Sequence, residues 1–259
     1  MGVPPYATTR VEVVRVPDGD ATDVVAVEEP LEIRIGGRPV AVTMRTPGHD
    51  EELALGFALS EGLRPGAARL PDDLAANTVE LDAPGFDPER LARSFYTSSS
   101  CGVCGKGALE EVAVQCPLVA PGPVVSRALL AGLPDRLAQP GFELTGGLHA
   151  TGLFDAGGDL LFAREDVGRH NAMDKVVGRA LLDGLVPLSG RLLCVSGRLS
   201  FELVQKAAVA GAPVLVGVGA PSSLAVALAA DRGLTLCGFA RRGKVNVYTG
   251  AERVDSSAA

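Results

Sequence analysis

The hydrophobic and polar positions change period several times along the chain, and each change marks an element. Residues 31–44, LEIRIGGRPVAVTM, alternate apolar and polar on either side of Gly36 and Gly37, which predicts a β-hairpin. Residues 46–62 shift to a helical pattern. Asp50, Glu51 and Glu52 crowd its start, where the helix dipole favours carboxylates, and Gly62 closes it. NTVELD, at 77–82, reads as a further strand. Residues 94–108, SFYTSSSCGVCGKGA, have no period and read as a mobile loop, followed by a short helix over 108–114. APGPVVS, at 120–126, reads as a domain junction, with Ser126 set to cap a helix from Arg127. Beyond it the pattern becomes regular. Residues 150–163 form a hairpin turning at Gly157 and Gly158. Helices over 167–184, 200–211 and 222–233 alternate with strands at 191–196, 213–218 and 234–240, and a last strand covers 244–249. Strands alternating with helices of this length predict a helix-covered sheet with parallel neighbours.

Composition narrows the class. The 259 residues suit one large domain or two small ones, and 47% are hydrophobic. Aromatics are only 4%, so the core has to be built from Ala, Val and Leu. A net charge of -7 speaks against broad binding of nucleic acid or of a membrane surface, while leaving local basic clusters open. The N-terminal stretch MGVPPYATTRVEVVRV lacks the basic region and apolar run of a secretory signal. The longest uncharged stretch, 207–230, is interrupted by Pro213, Pro221 and several glycines. It reads as helix end, buried strand, turn and helix start rather than as a membrane span.

Five cysteines, an odd count without a secretion signal, point to a reducing compartment and free thiols. Cys194 and Cys237 sit in apolar runs and Cys116 precedes a proline, so these three read as structural. Cys101 and Cys104 sit instead among serines, glycines and Lys106. A structural zinc site would need a second cysteine pair or suitably spaced histidines, and His49, His149 and His170 are not so spaced; no metal is expected. A thioredoxin-like dithiol would open a helix directly after a strand, a geometry this loop does not suggest. A persulfide carrier needs an exposed thiolate on a loop of small residues, with a cation nearby.

Four further segments carry candidate chemistry. AREDVGRHNAMDKVVG, at 163–178, concentrates charge where a strand passes into a helix, a common place for a ligand. The plain alternative is a solvated helix face with an intrahelical pair such as His170 with Asp174. SGRLSFELVQKA, at 196–207, turns at Gly197, offers Arg198 to an anion, and opens a helix at Ser200 and Glu202, without the full spacing of a P-loop. GAPSSLAVALA, at 219–229, repeats that layout with a serine cap. GFARRGKVNVYTG, at 238–250, sets Arg241, Arg242 and Lys244 around Gly243 in a turn between strands. Three anion-friendly strand ends on one sheet favour a phosphorylated ligand. His149, in LHATG, reads either as a satisfied histidine at a strand start or as a proton-handling or ligand-binding group.

Together with TSSSCGVCGKGAL and TGGLHATGLF, these motifs, in this order, resemble the formate dehydrogenase accessory sulfurtransferase family, FdhD, from about residue 34 to 249. The resemblance implies a cytidine-deaminase-like α/β fold with a mixed sheet and helices on both faces over residues 123–259. It also implies a smaller N-terminal α+β portion over 1–122 that ends in the CxxC loop and its short helix. The implied function is that of a cytoplasmic, typically homodimeric sulfur carrier. It takes persulfide sulfur from a cysteine desulfurase and passes it to the molybdenum cofactor, bis-molybdopterin guanine dinucleotide, before that cofactor enters formate dehydrogenase. Cys101 would carry the persulfide, with Cys104 as its partner. Phe239, Ala240, Arg241, Arg242, Gly243 and Lys244 would contact the cofactor. Arg198, Asp166 and His149 are assigned to the same site, with Asp166 or Glu165 reading a guanine edge. Deaminase chemistry is not implied, since neither His149 nor His170 opens an H-x-E motif. A cofactor-binding chaperone without sulfur transfer, and a thiol–disulfide oxidoreductase, remain alternatives.

Overall fold

The computed structural model describes residues 3–71, 77–86 and 116–255. Cys101, Cys104 and the short helix expected over 108–114 lie outside the described residues. The chain opens with an antiparallel ribbon, β1 (Thr8–Arg15) and β2 (Gly19–Ala26). The expected hairpin follows as β3 (Glu29–Ile35) and β4 (Arg38–Arg45), with Gly36 and Gly37 at the turn in the left-handed conformation. Helix α1 (Asp50–Ser60), β5 (Ala67–Arg69) and β6 (Thr78–Asp82) complete a four-stranded sheet of order β4-β3-β6-β5. Leu31, Ile33, Val79 and Leu81 of that sheet bury their side chains against Leu53, Ala54, Leu55 and Ala58 of α1.

The second portion starts at β7 (Val125–Ser126). There Ser126 Oγ accepts from Leu129 N–H at 3.2 Å and caps α2 (Arg127–Gly132), as its position in the sequence predicts. A 3-10 turn (Leu133–Arg136) and α3 (Pro140–Thr145) follow. The hairpin β8 (His149–Phe154) and β9 (Leu160–Asp166) feeds α4 (Arg169–Leu182). Then come β10 (Leu192–Val195), α5 (Phe201–Val209), β11 (Val214–Gly217), α6 (Ser223–Arg232), β12 (Thr235–Arg241) and β13 (Lys244–Thr249). A final β14 (Val254–Asp255) returns to pair in parallel with β7.

These strands make a six-stranded mixed sheet of order β13-β12-β11-β10-β8-β9. Strands β10, β11 and β12 are parallel, and β9 runs the same way, because β8 is antiparallel to both β9 and β10. Strand alternation sends Leu193, Val195, Leu215 and Leu236 to one face, under α4, α5 and α6. Leu192, Cys194, Val214, Val216 and Cys237 face the other way, against Leu130, Leu133 and Leu137 of α2 and the turn after it. Both faces are covered, so the strands read as continuous apolar runs in the sequence. Cys116 and Val119 pack into the first of these layers, so the chain enters the second core before the 120–126 segment read as the junction. Among the described residues, no helix is long and apolar enough to cross a membrane.

The two portions meet where α1 crosses α4. A Cβ on Gly56 would lie 1.9 Å from Asp174 O, and one on Gly178 would lie 1.8 Å from Glu52 O, so each helix needs its glycine. Around this crossing runs a buried polar layer. Arg164 holds Glu52, with Nη2 2.7 Å from Oε1. Lys206 Nζ lies 2.8 Å from both oxygens of Asp174, which also accepts from Ser60 Oγ at 3.1 Å. Glu52, opposed by its own burial, is drawn down to a pKa of about 2 by hydrogen bonds from His49 and Arg164.

Candidate functional site at the strand ends

The topology brings the expected site residues of the second portion to one edge of the large sheet. Strands β9 to β12 all end there, and the antiparallel β8 and β13 begin there. Helices α4, α5 and α6 leave from the same edge, so their N-terminal turns point their positive ends towards it. The turns after β10 and β11 are stitched together. Gly219 N–H donates to Gly197 O at 3.0 Å, Leu199 N–H to Ala220 O at 3.0 Å, and Ser222 N–H to Leu199 O at 3.0 Å. This pairing holds Arg198 outward, exposed, at the lip of the edge.

Phe239 and the basic turn lie one strand further along. Phe239 takes a left-handed φ of 53° at a register shift between β12 and β13, and its N–H reaches Gly219 O at 3.1 Å. A bulge redirects the side chain that carries it, and here it leaves an aromatic ring exposed beside the strand ends. Arg242 (φ 51°) and Gly243 (φ 71°) both have positive φ, the requirement of a two-residue type I′ hairpin turn. Arg241, Arg242 and Lys244 are all exposed around this tip. Ala240, expected in the same stretch, is fully buried, and its side chain packs in the second core layer.

His149 is half-buried at the start of β8, directly opposite Asp166 in the β8–β9 register. Its ring lies under the first turn after β10, with Nδ1 3.5 Å from where a Cβ on Gly197 would sit. Burial lowers its pKa, and the charges of Arg169 and His170 lower it further against the pull of Asp166. Burial and these two cations therefore favour the neutral form of the His149 imidazole.

Asp166 and Glu165 correct the sequence expectation for a guanine-reading carboxylate. Asp166 is fully buried. Its Oδ1 accepts from Gly168 N–H at 2.8 Å and Asn171 Nδ2 at 3.1 Å, and its Oδ2 from Thr46 N–H at 3.1 Å and Lys175 Nζ at 2.7 Å. Every oxygen lone pair has an internal donor, so this carboxylate anchors β9 and α4 to the N-terminal portion. Glu165 accepts from Gly141 N–H at 2.7 Å and Phe142 N–H at 2.8 Å, where it serves the open N-terminus of α3. The intrahelical pair of His170 with Asp174 does not form either, because Asp174 is turned inward to Lys206 and Ser60.

What the linear reading missed is a partnership between helices. His170 Nε2 lies 3.2 Å from Ser200 Oγ and 3.5 Å from Glu202 Oε2, linking the first turns of α4 and α5. Arg169 stands beside it with a buried Nε that has no hydrogen-bond partner. All four residues lie within motifs that the sequence singles out, but nothing in the spacing says that the two motifs touch. Cys116, Cys194 and Cys237 are buried free thiols, as expected. Burial pushes Cys116 up to about 11 and Cys237 up to about 12.

The arrangement offers cations, helix N-termini and an exposed aromatic ring along one edge. These suit a ligand that bears phosphates and a planar base. Comparison with known proteins gives the lineage. Residues 26–255 match the model of the FdhD/NarQ family. The chain is 50% identical to the "Sulfur carrier protein FdhD" of Streptomyces coelicolor, over 97% of each chain. It is 48% identical to the protein of the same name from Mycobacterium tuberculosis, over 90% of this chain and 92% of that one. A crystal structure from Desulfotalea psychrophila, of a protein proposed to be a formate dehydrogenase accessory protein, superposes with a TM-score of 0.73 at 26% identity. It covers 96% of this chain and 98% of that one. The motif order, the fold and these matches agree, and the chain belongs to the FdhD/NarQ family.

Proposed function

We propose that this protein is a sulfur carrier for formate dehydrogenase. It accepts persulfide sulfur on Cys101 from a cysteine desulfurase, then delivers it to the molybdenum of bis-molybdopterin guanine dinucleotide, which is its substrate. In this reading it works in the cytoplasm as a homodimer on a cytidine-deaminase-like scaffold, and it is a sulfurtransferase in the enzymatic sense. The observation that carries the reading is the convergence of Arg198, Phe239, Arg241, Arg242 and Lys244 on one strand-end edge, in a chain whose relatives are named as sulfur carriers.

The roles follow from chemistry. The exposed arginines and Lys244 pair with phosphate oxygens of the ligand, and a guanidinium can do so with two donors. Phe239 gives a base a face to stack on. His149, half-buried and with its neutral form favoured by burial, can take a proton at the lip. Cys101 supplies the nucleophilic thiolate, and Lys106, five residues on, favours its ionisation.

Intact-mass analysis after incubation with a cysteine desulfurase and cysteine tests the carrier role. A reductant-labile gain of about 32 Da, one sulfur atom, is expected on the wild type and on Cys104→Ala but not on Cys101→Ala. A gain that persists in Cys101→Ala and vanishes in Cys104→Ala reverses the two roles. Absence of any gain on the wild type refutes the carrier reading.

A further inference from the structure

An arginine that is drawn into a protein normally brings a partner with it, and one here does not. Arg169 is the first residue of α4, which follows β9 at the strand-end edge. It is half-buried, and its Nε is sealed from solvent without a hydrogen-bond partner. Among the described residues, nothing forms an ion pair or hydrogen bond with its guanidinium. Every other described arginine that is not exposed has at least one such partner. Arg45 holds Asp50 and Arg164 holds Glu52. Arg232, whose Nε is also bare, still gives Nη1 to Cys116 O at 2.6 Å.

The carboxylates of the surrounding motifs are taken. Asp166 is matched by Lys175, Glu165 by the N–H groups of Gly141 and Phe142, and Glu202 Oε2 lies 3.5 Å from His170 Nε2. A buried donor left bare costs stability, the more so on a charged group. Such a donor in a folded protein calls for a partner that the chain itself does not supply. We propose that Arg169 is a ligand-binding residue of the strand-end site, whose Nε and one terminal nitrogen donate to a phosphate oxygen pair of the ligand. This rests on the reading that the edge takes a phosphate-bearing ligand.

The neighbourhood suits an anion. His149 lies opposite Asp166 in the β8–β9 register, and after burial the charge of Arg169 is the next cause of its lowered pKa. The N-cap of α4, Gly168, makes no side-chain hydrogen bond, whereas Ser200 and Ser222 cap α5 and α6. The positive end of α4 therefore adds to the field around the guanidinium. Arg198, Arg241 and Arg242 are exposed, so they attract an anion but must be ordered when it binds. Arg169 is held by the burial of its own Nε, and its planar fork is set before the ligand arrives.

The test uses the full chain and diguanosine pyrophosphate, two guanosines joined 5′ to 5′, with binding measured by calorimetry at constant pH and ionic strength. Arg169→Met keeps the length of the side chain and removes its donors. It is expected to weaken binding of the probe about 10- to 100-fold, the worth of hydrogen bonds to a charged group. Its Tm without ligand should be level or raised, because no bare donor remains buried. Arg169→Lys keeps the charge but has no donor at the position of Nε, and should recover little of the affinity. Guanosine, which lacks phosphate, should bind wild type and Arg169→Met alike. Unchanged probe affinity in Arg169→Met, full affinity in Arg169→Lys, or an equal loss for guanosine overturns the proposal. A lowered Tm without ligand in Arg169→Met also overturns it, since Arg169 then serves the fold. No binding of the probe by the wild type instead refutes the phosphate-ligand reading on which it rests.

Discussion

Replacing Gly178 by alanine reverses the usual sign of a glycine substitution in a helix. In an exposed helix, Gly→Ala stabilises by about 1 kcal/mol, because alanine loses less backbone freedom on folding. At position 178 the new Cβ would stand 1.8 Å from Glu52 O and 2.6 Å from Glu52 C, where ordinary contact begins at 3.4 Å. The obstacle is backbone, so no side-chain rotamer can yield. Relief requires α1 and α4 to separate by about 1.6 Å, the difference between those two distances. That separation pulls on the Arg164–Glu52 pair and the Ser60–Asp174 bond, and it opens the packing around the crossing. Overpacking of a tight core costs about 1–3 kcal/mol, and a backbone obstacle belongs at the upper end, so we expect a loss of about 3 kcal/mol. For a chain of this size that lowers the Tm by roughly 6–12 °C. Thermal and urea unfolding followed by circular dichroism measure it. Gly132→Ala is the control, since a Cβ there meets open space and should leave stability level or slightly higher. A Gly178→Ala protein with an unchanged or raised Tm would refute the close crossing.

Other consequences are equally direct. Glu52 and Glu202 have native pKa values of about 2 against an ordinary 4.5, so the stability they contribute is complete above about pH 4.5 and is lost as pH falls towards 2. Urea midpoints should therefore drop between about pH 5 and pH 3, and Glu52→Gln should flatten that drop. A Cys101→Ala/Cys104→Ala protein should show no fast-reacting thiol towards a disulfide reagent at about pH 8, and three after denaturation, since Cys116, Cys194 and Cys237 are buried with raised pKa values. Even one fast thiol in the native variant would contradict their placement. Arg241→Ala should weaken diguanosine pyrophosphate binding and leave the remainder less sensitive to salt, with the Tm unchanged, because its exposed side chain is not part of either core layer of the sheet. Unchanged affinity at low salt would remove Arg241 from the site.

The sequence by itself determined the elements. Local signals are carried by neighbours in the chain. Gly36–Gly37 and Gly157–Gly158 mark hairpins, Ser126, Ser200 and Ser222 cap helices, and apolar runs such as LLCV and VLVG mark strands buried on both faces. The basic turn at 241–244 was legible for the same reason, since its glycine and its charges are adjacent.

Tertiary structure decided which carboxylates are free. Asp166 and Glu165 look alike in ARED, but one is fully occupied by donors from Thr46, Asn171 and Lys175 and the other by the start of α3. Those donors come from as far as 120 residues away in the chain, a distance over which sequence pattern carries no register. The pairing of His170 with Glu202 likewise exists because α4 and α5 leave β9 and β10, parallel strands on either side of β8, and pack against each other. Gly56 and Gly178 did leave a trace, as isolated glycines inside helical patterns. The trace says that something comes close to each helix; only the crossing shows that each helix is the other's obstacle. Helix and strand formation is settled within a few residues, whereas a site is made by elements that meet only after the core has packed.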